Sequence, residues 1–107
     1  MNTKDSLWLV DYIELDPLIK TYNSDKTAKM LFDMTAKRER FRKRISLKSI
    51  RDSLFQTYRC NANVNEVKQW FKKLQDCDCG VWNDKEEAFE IKYPLHEVCQ
   101  LVVELTL

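Results

Sequence analysis

The spacing of apolar residues predicts a mostly helical first half of the chain. Residues 23–44 carry apolar side chains at helical spacing and end in a basic cluster. Either Asn23 or Ser24 can cap this predicted helix, because both have short side chains that accept hydrogen bonds from backbone N–H groups. Residues 6–22 are also apolar-rich. We expect one short helix there, and we expect Pro17 to interrupt the helical pattern.

Two more helices are predicted in the middle of the chain. Ile45 is a candidate for a strand of one or two residues, and Ser46 is a candidate N-cap for an amphipathic helix that reaches residue 58. A second helix is predicted over residues 63–76. Asn63 stands three positions ahead of a glutamate and an apolar run, which resembles a capping box.

The end of the chain has the pattern of a hairpin and a final helix. Residues 81–93 contain a polar turn and then alternate apolar with charged residues, which is typical of a half-buried strand. Pro94 ends the hairpin and can occupy the first position of a helix over residues 95–107. The valines of this last segment also permit a strand. The predicted fold class is therefore α+β and mostly helical.

Composition limits the chain to one small domain. It has 107 residues, of which 44% are apolar and 33% charged, so it can bury a core and remain soluble. One glycine and two prolines leave no room for a flexible linker. We therefore predict a single domain over residues 1–107.

Charged residues interrupt every apolar stretch that could be a targeting or membrane segment. Residues 1–20 contain six charged side chains, so they lack the apolar core of a signal peptide. No run approaches the roughly 18–20 apolar residues that span a bilayer. We expect a cytoplasmic protein without a membrane partner, and its four cysteines are expected to be reduced thiols.

The chemistry-bearing residues do not form a pattern that favours catalysis. A single glycine excludes a glycine-rich phosphate loop. Cys77 and Cys79 are one close pair, whereas a zinc site usually needs two. His96 is the only histidine, and the residues around it supply no oxyanion hole. We expect no enzymatic activity, no cofactor, no metal and no small-molecule substrate.

Charge is distributed unevenly along the chain although the net charge is only +1. Residues 37–51 are strongly basic, and residues 76–104 are acidic. A like-charge block of this kind is either a solvated surface or the binding site of an anionic partner. The polar side of residues 63–76, which carries amides and lysines, leaves the same two alternatives open.

The order of predicted elements resembles a winged helix-turn-helix domain, with a two-stranded wing and extra N- and C-terminal helices. The likeness is carried by "ISLKSIRDSLF", by "NVNEVKQWFKKLQDCDCGVW" and by "AFEIKY". It covers about residues 25–93, so that residues 1–22 and 94–107 are flanking helical segments. The basic helix and "SLKSIRDSLF" also resemble the C-terminal winged-helix segment of primase- and helicase-like proteins of mobile elements.

The resemblance implies that residues 63–76 form a recognition helix in a DNA groove, with the basic run 37–51 on phosphates. Amides can pair with adenine, and lysines can reach guanine or phosphate oxygens. The nucleic-acid-binding residues implied in this way are Arg40, Arg42, Lys43, Arg44, Ser46, Lys48, Ser49, Arg51, Asn65, Lys68, Gln69, Lys72 and Lys73.

The wing departs from the family pattern, in which basic residues commonly touch phosphate. Here the predicted turn carries Asp84, Glu86 and Glu87, which a phosphate backbone would repel. The alternative hypothesis is therefore a protein-interaction or homodimerisation module on the same fold. It would use the acidic wing and the flanking segments, whose apolar residues, such as Trp8 and Tyr12, could instead pack within the chain.

Overall fold

The computed structural model describes residues 6–37 and 43–106. Within these ranges a short 3-10 helix (Leu7–Asp11) precedes five α-helices and three β-strands. In chain order the elements are α1 (Leu15–Ser24), α2 (Lys26–Ala36), β1 (Arg44–Ser46), α3 (Leu47–Tyr58), α4 (Val64–Asp76), β2 (Gly80–Asn83), β3 (Ala88–Ile91) and α5 (Leu95–Leu105). The radius of gyration is 12.6 Å, close to the ~13 Å typical of one compact domain of this length.

The three strands form a small antiparallel sheet in the order β1-β3-β2. Phe89 is the central residue, because it pairs with Ile45 on one side and with Trp82 on the other. The predicted strand at Ile45 and the predicted hairpin are both confirmed. The hairpin turn comprises residues 84–87, and Glu87 adopts the left-handed conformation with φ 49°.

Aromatic side chains join α4 to the sheet and to α2. The ring of Phe71 stacks on Trp82 and Phe89, with centroids 5.2 and 5.3 Å away. The ring of Trp70 meets Phe32 edge to face at 5.5 Å. Trp70 is fully buried, because α2 covers that side of α4. These contacts fix which side of α4 faces solvent.

The single glycine lies where the sheet and the core leave no room for a side chain. A Cβ at Gly80 would collide with the backbone oxygen of Glu90 and with the ring of Phe89. The left-handed residue that follows α4 is Asp78, with φ 67°. This conformation turns the chain from α4 into β2.

The predicted C-terminal helix is confirmed as α5, which packs on α2 and α1. Its buried residues are Leu95, Val98, Cys99, Leu101 and Val102. Leu105, in the last turn of this helix, is exposed. Pro94 precedes the first helical position and is the N-cap. Within the described ranges, none of the helices combines the length and the apolar character required to traverse a bilayer.

The prediction that Pro17 breaks the N-terminal segment was wrong. Helix α1 begins at Leu15 and includes Pro17 in its first turn. The first four N–H groups of a helix have no partner within the helix, so a proline there loses no hydrogen bond. Pro17 therefore lies near the start of a helix that continues to Ser24.

The predicted cap of the next helix was also wrong. Asn23 and Ser24 belong to the last turn of α1. Asp25 separates the two helices and caps α2, since its Oδ1 accepts a hydrogen bond from the Ala28 N–H at 3.1 Å. Helix α2 ends at Ala36 rather than extending to residue 44, and Arg44 is in β1. Residues 38–42 lie outside the described residues.

Candidate nucleic-acid interface

Helix α4 presents a polar side to solvent, as the sequence predicted. Its N-cap is Asn63, whose Oδ1 accepts a hydrogen bond from the Asn65 N–H at 2.7 Å. Because the apolar stripe is buried against α2 and the sheet, the opposite positions face outward. Asn65, Gln69 and Lys72 are exposed. The Lys68 side chain is 27% exposed.

Lys73 lies at the margin of this outward side that is nearest to α1. It borders a groove between α1 and α4, together with Asp16, Lys20 and Thr21. Each helical position changes the direction of a side chain by about 100°, so Lys73 points roughly 40° away from Gln69. The structure therefore places Lys73 at the edge of the predicted groove residues, beside α1.

The start of α3 is held mainly by contacts within the chain. The predicted N-cap is confirmed, because Ser46 Oγ accepts a hydrogen bond from the Ser49 N–H at 3.1 Å. The Ser49 hydroxyl donates to the backbone oxygen of Ser46. The Leu47 N–H donates to the backbone oxygen of Glu87 at 2.9 Å. Two backbone N–H groups at the start of α3 are thus already bonded within the chain, and Lys48 contributes an exposed ammonium there.

Arg51 has a structural role that the sequence pattern did not reveal. Its Nε and Nη2 both donate hydrogen bonds to the backbone oxygen of Ala62, at 3.2 and 3.1 Å. Ala62 is buried in the connector that precedes α4. The guanidinium therefore ties α3 to the beginning of α4, and this half-buried side chain is already engaged.

Glu87 connects the start of α3 with the outward side of α4. Its backbone oxygen accepts the hydrogen bond from Leu47, and its carboxylate lies 3.8 Å from the Lys68 ammonium. One residue of the hairpin turn thus touches both segments that were predicted to bind nucleic acid. We call the outward side of α4 (Asn65, Lys68, Gln69, Lys72) together with Ser46 and Lys48 the polar face.

Arg44 is at the edge of this region and forms ion pairs with the hairpin. Its Nη2 lies 2.9 Å from a carboxylate oxygen of Glu86, and its Nε lies 3.3 Å from one of Glu90. All three side chains are about half exposed. Lys43 is exposed. Arg40 and Arg42, the other predicted phosphate contacts, lie outside the described residues.

The hairpin turn is acidic, but its charges are close to cations of the same chain. The Trp82 Nε1–H donates to Asp84 at 3.0 Å. This hydrogen bond is the main cause of a lowered pKa of Asp84; the ammonium groups of Lys68 and Lys72 add to it, whereas desolvation opposes it. A phosphate on the polar face would therefore have to compete with fixed carboxylates. The acidic turn was evident from the sequence, but its ion-pair partners Arg44 and Lys68 were not, because they are distant in the chain.

The thiols of Cys77, Cys79 and Cys99 are buried. Burial is the largest cause that raises the pKa of Cys77 to about 11 and that of Cys79 to about 12. Burial also raises the pKa of Cys99 well above its usual value. Such thiols stay protonated near neutral pH and are poor nucleophiles. In the part of the chain that the structure describes, no group of three or more His, Cys, Asp or Glu residues could hold a metal ion.

Comparison of the chain with protein-family models, with curated proteins and with solved structures finds no match.

Proposed function

We propose that the protein is a non-enzymatic winged-helix module that binds nucleic acid, with duplex DNA as the favoured ligand. The order α2–β1–α3–α4–β2–β3 and the sheet order β1-β3-β2 support the winged-helix arrangement. In that arrangement α4 is the recognition helix and the β2–β3 hairpin is the wing.

The observation that carries this proposal is the contact of Glu87 with both Leu47 and Lys68. It places the start of α3 beside the outward side of α4, so that groups suited to phosphates and groups suited to base edges share one surface. On this surface Asn65 and Gln69 provide amides that can pair with adenine. The lysines provide positive charge for phosphates or guanine.

The basic run before α3 extends the proposed phosphate contacts. Lys43, just before β1, and Lys48, in the first turn of α3, are exposed cations of this run. Arg40 and Arg42 remain part of the proposal on the basis of the sequence alone. Arg51 and Lys73 contribute less, because the first is bonded to Ala62 and the second faces α1.

The proposal is tested by the salt dependence of DNA binding. Fluorescence anisotropy with a labelled 25-base-pair duplex is measured from low to moderate salt. Replacing both Lys68 and Lys72 by alanine should weaken binding several-fold and reduce the slope of log K against log salt by about 2, because each lost phosphate contact removes about 0.9.

The matched control is the double alanine replacement of Lys29 and Lys92. These ammonium groups lie over the rings of Tyr22 and Tyr93 and are not among the residues of the polar face. This control has the same net charge as the test variant but should keep nearly the native slope. The proposal would be refuted if both double variants lost affinity and salt slope to the same extent. It would also be refuted if the native protein bound neither duplex nor single-stranded DNA at low salt.

A second candidate function is a protein-interaction module on the same fold. It is favoured by the exposed carboxylates of Asp84, Glu86 and Glu87 in the hairpin turn, which a basic partner could contact. Sedimentation velocity over a range of concentrations tests the homodimeric form of this hypothesis. A monomer that binds DNA with the expected salt dependence would favour the first function.

A further inference from the structure

The hairpin turn places a fixed carboxylate beside the outward side of α4. Asp84 is exposed, and its Oδ1 accepts a hydrogen bond from the Trp82 indole N–H at 3.0 Å. In the same turn, the Glu87 carboxylate lies 3.8 Å from the Lys68 ammonium. Lys68 and Lys72 are one helical turn apart on α4, and both ammonium groups act on the charge of Asp84. A carboxylate of the turn and ammonium groups of α4 therefore lie together at the margin of the polar face.

The orientation of Asp84 is set from the core of the molecule. The Trp82 ring is buried and stacks on Phe71 of α4, with ring centroids 5.2 Å apart and an interplanar angle of 16°. The Trp82 backbone N–H donates to Gln75 Oε1 at 2.8 Å, so the backbone and the ring of Trp82 are both attached to α4. The indole binds one of the two carboxylate oxygens of Asp84. The second oxygen can accept a hydrogen bond from a ligand, and a side chain supported in this way is preorganised.

The charge of Asp84 selects hydrogen-bond donors. The hydrogen bond from Trp82 is the main cause that lowers the pKa of Asp84, and the ammonium groups of Lys68 and Lys72 lower it further. The side chain is therefore ionised near neutral pH, and an ionised carboxylate only accepts hydrogen bonds. Lys72 provides the complementary donor, because it is exposed and has no ion-pair partner in the part of the chain that the structure describes.

A neighbouring donor and acceptor of this kind match the major-groove edge of a G·C base pair. Guanine presents N7 and O6 there as two adjacent acceptors, and cytosine presents its N4 amino group as a donor. An ammonium can donate to guanine while a carboxylate accepts from cytosine. In an A·T pair the adenine amino group lies next to N7, where it would repel an ammonium. The chemistry of the two side chains therefore favours G·C over A·T.

We propose that Asp84 and Lys72 together give the polar face a preference for a G·C base pair. Lys72 donates to guanine, and Asp84 accepts from the cytosine N4 amino group. Trp82 is a positioning residue, because it holds Asp84 and does not itself touch the base. This inference rests on the proposed binding of duplex DNA by α4, and it adds the base pair that this surface recognises.

The test measures base preference and affinity separately. The probe is a library of 25-base-pair duplexes with randomised central base pairs, and the protein-bound fraction is sequenced. The native protein should enrich G·C at one position roughly tenfold over A·T. Asp84→Asn keeps the size of the side chain and an acceptor for the indole but removes the charge. It should reduce this enrichment at least about threefold, while the overall affinity stays the same or rises because phosphates are no longer repelled.

The matched control is Glu86→Gln. It removes the same charge from the same turn, but Glu86 is paired with Arg44 and not with a lysine of α4. This control should keep the native enrichment of G·C even if its overall affinity rises. Equal reductions of the enrichment in both variants would show that only the charge of the turn matters, and they would overturn the inference.

Trp82→Phe tests the positioning role without DNA. It keeps an aromatic ring against Phe71 but removes the indole N–H, so the pKa of Asp84 should rise towards its usual value. NMR titration of the side-chain carboxyl carbons measures this change, and the enrichment of G·C should fall about twofold or more. An unchanged pKa of Asp84 would contradict the positioning role of Trp82.

The outcomes separate this inference from the proposed function. Duplex binding without any base preference would overturn the inference and leave the proposed function intact. The same conclusion would follow from an enrichment of G·C that Asp84→Asn leaves unchanged. Absence of duplex binding by the native protein at low salt would overturn both.

Discussion

At the scale of single residues, neighbouring cations of the basic run have different surroundings. Arg44 is ion-paired with the hairpin, Arg51 is bonded to the connector before α4, and Lys48 is exposed. The sequence shows that all three side chains are cationic, but it does not show which of them is free of ion pairs and hydrogen bonds within the chain and can therefore bind an anion. Among them, Lys48 is the residue best placed to meet a phosphate.

Arg51 and Lys48 should respond differently to alanine replacement. Arg51→Ala leaves the buried oxygen of Ala62 without its two donors and should lower the free energy of unfolding by about 1–2 kcal/mol. Lys48→Ala should change it by less than about 0.5 kcal/mol. Urea unfolding measures both values.

The same two variants are then compared in DNA binding. Lys48→Ala should reduce the salt slope by about 1, whereas Arg51→Ala should leave it close to native. A stable Arg51→Ala protein with a strongly reduced slope would show that Arg51 contacts phosphate and that its bond to Ala62 is incidental.

Residue roles that depend on local geometry were predictable from the sequence. Ser46 and Asn63 cap α3 and α4 as expected, because a cap needs only a short polar side chain at the right position. The burial of Trp70 was not predictable in the same way. It depends on α2, which is more than thirty positions earlier in the chain.

At the scale of elements, ion pairs connect the hairpin turn with α4 and with β1. Glu87 lies next to Lys68, and Glu86 lies next to Arg44. Exposed ion pairs of this kind contribute little to stability, on the order of 0.2–1 kcal/mol each. Under the proposed function, their larger effect is that Glu86 and Glu87 compete with a phosphate for Arg44 and Lys68.

If the polar face binds DNA as proposed, removing two carboxylates of the hairpin turn should strengthen that binding. The double variant Glu86→Gln with Glu87→Gln removes the ion pair of Lys68 and one of the two ion pairs of Arg44, whose contact with Glu90 remains, and we expect roughly fivefold higher affinity at low salt. Anisotropy with the same duplex measures this change. Asp11→Asn with Glu14→Gln alters net charge equally at the other end of the sheet, and it should have a smaller effect. Equal gains in both variants would show that only the net charge matters.

The existence of most elements could be predicted, but not the boundary between α1 and α2. The periodic pattern gave α3, α4, the hairpin and α5, since each is flanked by clear polar or proline signals. Helices α1 and α2 are separated by Asp25 alone. Three neighbouring polar residues could each have been the cap, and only the packing of the two helices selects Asp25.

At the scale of the whole molecule, the sheet separates two surfaces with different chemistry. The polar face lies beside the hairpin turn, and the exposed rings of Trp8 and Tyr12 lie at the opposite end. Helix α5 is covered by α2 and α1, so the core is completed within the chain. The residues of the polar face were candidates from the sequence. The sequence did not show that the start of α3 and the outward side of α4 lie next to each other, which the contacts of Glu87 with Leu47 and Lys68 reveal.

Amide chemical-shift mapping tests this convergence most directly. The isotope-labelled protein is titrated with duplex DNA, and shifts are followed for every assigned amide. The proposed function predicts that the largest shifts cluster at the start of α3, in residues 46–51, and along α4, in residues 63–73. Shifts confined to α5 and residues 7–12, or spread evenly over the molecule, would contradict the claim that α3 and α4 form one binding surface.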